Sequence, residues 1–179
     1  MKQINKIYLI VKNILLYLKL KFFYRINISS LCWARGRFEL LKDKTSSCDI
    51  GNQITTLGPM YIKCLNNSKL KIGNNCFFNH NCSITCAGEI TIGDGCDFAN
   101  NIVIVDHDHR VGKTGVQDEL LIRPIKIGNG VWIGANVTVL KGVTIGDGAV
   151  IAANSVVNTN VEANTLVAGV PVRYIKNID

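Results

Sequence analysis

The sequence has no acidic residue before Glu39, whereas Lys2, Lys6, Lys12, Lys19, Lys21 and Arg25 all precede it. The formal charge of +7 therefore belongs to an N-terminal arm, and the remainder is close to neutral. That placement argues against a basic groove for nucleic acid running along the body. No charge-free apolar run approaches the ~20 residues of a membrane-spanning helix. Among seven cysteines there is no CxxC pair, which removes the usual signature of a metal ribbon or redox motif. The count is odd, and lysines interrupt the N-terminal apolar region, which also lacks a small-residue cleavage site. The expectation is a reduced, cytoplasmic protein without a cleavable signal, with disulfides or a metal cluster as the alternative. Neither the 3.6 period of a helix nor the alternation of a plain strand runs through the body.

What the body does have is a period of six. Aliphatic residues return at Ile127, Ile133, Val139, Ile145, Ile151 and Val157. Four places after each stands Val131, Val137, Val143, Ala149, Ser155 or Val161. Short periodic units of this kind indicate a solenoid, each hexamer one short strand plus a corner. Gly134, Gly146, Asn129-Gly130 and Asp147-Gly148 relax the sterics where the backbone bends. Three faces make a triangular coil of about eighteen residues, which buries its apolar edge against the coils above and below.

The beat begins faintly at Ile50, Thr56 and Ile62, then runs through Ile72, Phe78, Ile84 and Ile90. It restarts at Ile92, Phe98 and Ile104, so the turn near Ala87-Gly88-Glu89 absorbs an insertion. Cys76, Cys82 and Cys96 fall in the slot used elsewhere by Val, Ala and Ser, and read as small core residues. These boundaries divide the chain into a basic amphipathic helical arm (1–30), a connector or first irregular strand (31–49), and a solenoid (50–179) with a C-terminal tail (163–179). In the arm, Ile4, Ile7, Tyr8, Val11, Ile14, Leu15, Leu18 and Phe22 keep helical spacing among the lysines. Such a helix either lies on an anionic membrane through residues 1–25 or packs on the solenoid or a neighbouring subunit and caps an open end.

Between Ile104 and Ile127 the spacing fits no multiple of six, so a loop leaves the solenoid at 106–124. It holds two of the three histidines, His107 and His109; the third is His80. One imidazole there can act as a general base with Asp106 or Asp108 holding its tautomer. The three histidines can instead form an open zinc site, or be solvated loop residues on a solenoid that only binds.

Residues 124–137 (Pro-Ile-Lys-Ile-Gly-Asn-Gly-Val-Trp-Ile-Gly-Ala-Asn-Val), 142–157 and the Ala-Gly-Val-Pro-Val-Arg of 168–173 resemble the left-handed β-helix acetyltransferases. That family includes maltose and galactoside acetyltransferases and O-acetyltransferases of capsule, colanic acid and O-antigen sugars. The resemblance implies an all-β left-handed parallel β-helix, although elementary sterics favour right-handed crossovers. It also implies a homotrimer with acetyl coenzyme A bound between neighbouring solenoids and no metal. His109 is then the base, ahead of His107, and Asn79 binds a carbohydrate acceptor. Trp132 is an indole donor or apolar wall, or else a packed corner residue. Ala135 and Ala153 offer backbone to the pantetheine arm, and Arg173, Lys176 and Lys141 supply cations to the phosphates. Asn158-Thr159 stands where the family has Thr-Lys, which removes one phosphate contact. The implied activity is O-acetylation of a sugar hydroxyl in a surface polysaccharide or its precursor, in the cytoplasm or peripherally at its membrane face. A sugar N-acetyltransferase and a zinc hydratase of the γ-carbonic-anhydrase type remain as alternatives.

Overall fold

The computed structural model describes residues 2–30 and 32–178, with side chains from Lys6 onward. A helix at Lys2–Leu18 runs into a π-helical turn at Lys19–Phe23. From Asn27 the chain winds into a parallel solenoid of three sheets, visiting each face once per coil. In the first sheet Ile28, Ile50, Ile72, Ile92, Ile127 and Ile145 stand one above another. The second stacks Ala34, Thr56, Phe78, Phe98, Ile133, Ile151 and Val167. Leu40, Ile62, Ile84, Ile104, Val139 and Val157 form the third column. All of these side chains are buried, so the periodic aliphatic residue is the one that turns inward. Where the columns widen, Phe78 and Phe98 stack face to face at 4.5 Å.

The corners are held by polar ladders. Asn81, Asn101, Asn136 and Asn154 all adopt left-handed φ values between 58° and 60°, a conformation asparagine tolerates better than most residues. Each side-chain amide donates to the next asparagine carbonyl, at 2.8, 2.8 and 2.9 Å. A second ladder joins Asn74, Asp94, Asn129 and Asp147, whose side-chain oxygens accept backbone N–H groups from the preceding coil.

The steps of that second ladder give the coil lengths: 22, 20, 35 and 18 residues. The 35-residue coil carries the excursion. The longer early coils explain why the hexad reads poorly before Ile72. They also place the stretch expected as a connector or first irregular strand: Trp33–Ala34, Phe38–Lys42 and Ser47–Ile50 are strands of the first two coils. The excursion is a twisted antiparallel hairpin, His107–Gly112 with Gly115–Ile122. At the far end, Thr165–Ala168 extends the second sheet, and Arg173–Asn177 folds back antiparallel on it.

The N-terminal helix covers the other end. Asn13 is buried, and its side-chain Oδ1 accepts the Ala34 N–H at 2.9 Å. The Lys12 ammonium donates to the carbonyls of Ala34, Arg35 and Gly36 at 3.2, 3.1 and 2.6 Å. Leu20 enters the core, with Leu16, Tyr17 and Tyr24 packed against it. One face of the arm is thus a cap, while Ile7, Tyr8, Val11, Leu15, Leu18, Phe22 and Phe23 stay exposed. Among the described residues no helix is long and apolar enough to cross a membrane.

All seven cysteines are free and buried. Burial pushes the Cys82 thiol up to about 11 and the Cys86 thiol to about 12, the latter also beside the Asp106 carboxylate. An unfolded thiol ionises near ~8.5, so above that pH the unfolded chain loses protons that the folded chain keeps. The contribution of these thiols to stability is therefore expected to be constant between neutrality and about pH 8.5 and to fall as the pH rises toward the folded values, measured as the thermal midpoint by circular dichroism. A thiol-disulfide dye at neutral pH is expected to label none of the cysteines rapidly in the native protein and all of them after denaturation.

Candidate active site

The hairpin is rooted by a buried carboxylate. Asp106 is fully buried. Its Oδ1 accepts the Ala87 N–H at 2.7 Å, and its Oδ2 accepts the Gly88 N–H at 2.8 Å and a weak bond from the Cys86 thiol at 3.6 Å. The same Oδ1 lies 3.1 Å from Nδ1 of His107. The Asp106 carbonyl accepts the Arg123 N–H at 2.9 Å, which closes the neck of the hairpin. Gly88 is needed for space: a Cβ there would stand 2.4 Å from Cγ2 of Ile122, the hairpin residue opposite His107. The insertion sensed near Ala87-Gly88-Glu89 is thus the seat on which the excursion rests.

Two ion pairs stiffen the hairpin beyond its neck. Lys141, from the next coil, pairs with Asp108. Across the two strands, the Arg110 guanidinium engages both carboxylate oxygens of Glu119 at 2.7 and 2.9 Å, which raises the guanidinium's own pKa. The sequence has no local signal for that pair, because it depends on the hairpin register.

The two loop histidines differ in surroundings. The His107 side chain is only 13% exposed and faces Asp106. His109 is exposed, and its Nδ1 lies 3.1 Å from the backbone carbonyl of Gln117. A carbonyl only accepts, so Nδ1 of His109 carries the proton and the neutral ring presents an unprotonated Nε2. His80 lies apart from the hairpin, with Nδ1 at 2.8 Å from its neighbour Asn79 Oδ1. Among the described residues no group of three or more His, Cys, Asp or Glu is placed to hold a metal ion.

The remaining candidates occupy a different corner. Asn79 follows the Phe77–Phe78 strand, and Ala135 and Ala153 follow the equivalent strands two and three coils on, all where the second sheet passes to the third. Asn79 is half-buried and accepts the His80 N–H at 2.9 Å, a turn-forming bond. The Ala135 carbonyl accepts the Asn154 N–H at 2.8 Å. Trp132, in the second sheet nearby, is 55% exposed. His107, His109 and Lys141 lie instead where the third sheet passes to the first. The candidate residues therefore fall in two groups separated by the width of the third sheet. Arg173 and Lys176 are exposed on the antiparallel strand that closes the C-terminal edge of the second sheet.

Known proteins share the repeat and the fold. The bacterial transferase hexapeptide (six repeats) family model matches residues 124–159, and the hexapeptide repeat of succinyl-transferase model matches 69–105. Galactoside O-acetyltransferase of Escherichia coli (strain K12) is 35% identical over 160 residues, 87% of this chain and 75% of that protein. A hexapeptide-repeat acetyltransferase of Vibrio cholerae, solved with acetyl coenzyme A, superposes with a TM-score of 0.62 at 34% identity, covering 78% of this chain and 71% of that one. A galactoside acetyltransferase solved with coenzyme A gives 0.62 at 34% identity over 73% of this chain and 64% of that one. With its stacked hexads and projecting hairpin, the chain belongs to the hexapeptide-repeat acetyltransferases of the galactoside and maltose O-acetyltransferase type, acyltransferases built on a left-handed parallel β-helix.

Proposed function

We propose that the protein transfers acetyl from acetyl coenzyme A to a sugar hydroxyl of a surface polysaccharide or its precursor, with His109 as general base. The observation that carries this reading is the Gln117 carbonyl held at Nδ1 of His109, which aims a basic Nε2 outward on an anchored hairpin. Nε2 takes the acceptor's hydroxyl proton as that oxygen attacks the thioester carbonyl. The tetrahedral intermediate collapses with cleavage of the carbon–sulfur bond, and the imidazolium returns the proton to the departing thiolate. No acyl-enzyme is needed, because positioning both substrates together supplies much of the rate.

The separation of the two groups favours a homotrimer with its sites between subunits. The hairpin corner of one protomer then meets the corner of its neighbour that carries Trp132, Ala135 and Ala153. Exposed Val103, Val111, Val116 and Trp132 are apolar surface that such a neighbour would cover. In this assembly Asn79 contacts the acceptor, the backbone at Ala135 and Ala153 runs beside the pantetheine arm, and Arg173 and Lys176 meet the phosphates. Lys141 has a different role, since Asp108 already holds its ammonium. His107 and Asp106 act as positioning residues at the hairpin root. The reaction is placed in the cytoplasm, at its membrane face.

Substituting His109→Ala is expected to lower thiol release from acetyl coenzyme A by about 10²–10⁴-fold, with the thermal midpoint nearly unchanged. If His107→Ala alone produced that loss, the base would be reassigned. Asp106→Asn turns an amide donor toward the Ala87 or Gly88 N–H. It is expected to destabilise the fold by about 1–3 kcal/mol in chemical denaturation. It is also expected to lower kcat while leaving the KM for acetyl coenzyme A near its wild-type value, since the hairpin and not the pantetheine corner is disturbed.

A further inference from the structure

The cap at the N-terminal end has a second face that the solenoid does not use. Asn13, Leu16, Tyr17 and Leu20 face the coils. Ile7, Tyr8, Val11, Ile14, Leu15, Leu18 and Phe22 are 41–71% exposed. At 100° per residue these exposed positions cover an arc of roughly 120°, wider than the narrow seam of a two-helix coiled coil. Lys6 and Lys21 border the arc on one side and Lys19 on the other, the pattern of a helix lying in an interface plane with its ammonium groups at headgroup level.

Where the helix ends, the charge density rises. An open cleft of about 560 Å³ is lined by Phe23, Tyr24, Arg25, Lys42, Asp43 and Lys44. Phe23 is 77% exposed at its mouth, and the Lys19 ammonium lies 5.6 Å from the centre of the Tyr24 ring. Lys63 lines the adjoining hollow with Tyr24 and Lys42. Asp43, the acid in the cleft, is already engaged by the N–H and hydroxyl of Thr45 at 3.1 and 3.0 Å. Glu39, on the same strand as Lys42, is paired with Arg37.

We infer that this end of the solenoid is a docking surface for an anionic phospholipid membrane. The apolar arc and Phe22–Phe23 enter the interface, and Arg25, Lys42 and Lys44 take a lipid phosphate in the cleft. A second copy of the chain fits the surface less well, because it would bring an equally basic helix and cleft against this one. The inference rests on the membrane-face placement proposed above, and not on which hydroxyl is acetylated. In the proposed trimer the three caps lie at the same end and engage one surface together, so weak single contacts multiply.

The test is flotation of the purified full chain with phosphatidylcholine vesicles, with and without about 30% phosphatidylglycerol, beside Lys42→Glu/Lys44→Glu and Tyr8→Ser/Phe22→Ser variants. Thermal stabilisation by acetyl coenzyme A and the oligomer mass are read on the same samples. The expected result is partition onto the anionic vesicles only, weakened by salt and reduced at least about tenfold in each variant, with ligand stabilisation and mass unchanged. Wild-type indifference to the anionic lipid, equal binding to neutral vesicles, or undiminished binding by both variants would overturn it. So would a change of oligomer mass in the variants, which would mark the surface as an interface between copies. Loss of vesicle binding alone leaves the acyltransfer reading standing; loss of stabilisation by acetyl coenzyme A in the wild type sinks that reading instead.

Discussion

Every coil of this protein buries its inner residue only because another coil lies directly above or below it. The three aliphatic columns, led by Ile28 to Ile145 in the first sheet, are continuous through the molecule, and no single hexad has a core of its own. A parallel solenoid therefore needs register above all, since a one-residue slip would turn each inward side chain out. The asparagine ladder at one corner and the Asn/Asp ladder at another bind that register from the outside. Each bond contributes about 1 kcal/mol, but their repetition makes the columns and the corners specify the same alignment.

Such a frame lets a single excursion be rigid. A hairpin on an ordinary loop would sample many directions. This one has its neck on a buried carboxylate that satisfies two backbone N–H groups of the coil below, and its strands are held by Arg110–Glu119 and Lys141–Asp108. The imidazole of His109 thus takes its direction from the solenoid, and its tautomer from a carbonyl of the opposite strand. The chemistry proposed for it is modest. Most of the rate in a direct acyl transfer comes from holding two substrates in line, which is what rigid neighbouring coils can supply.

How far the sequence shows this depends on coil length. In the coil from Asn129 to Asp147 the step is 18 residues, three hexads, and the fold and its corners can be read directly from Ile127 to Val157. Where the step is 22 residues, extra corner residues and the inward Thr56 blur the rhythm, and strands such as Phe38–Lys42 look like a connector. The excursion is legible as a break in the count, and its histidines as candidates. Its antiparallel pairing is not, because Arg110–Glu119 and His109–Gln117 meet only once the strands are folded together. In the arm, amphipathicity shows that a helix has an apolar side, but only Asn13 and Lys12, bonded to the first coil, show which side the solenoid takes.

The helix that sits over the first coil has a consequence for the size of the particle. An uncovered solenoid end presents the edges of three parallel sheets at once, a template on which a further coil from any chain can add. With the helix at one end and the Arg173–Asn177 strand folded across one sheet at the other, that growth is obstructed at both. Length is therefore capped by two short segments that take no part in the repeat. A chain stripped of its first two dozen residues would be a candidate not for a smaller enzyme but for a filament.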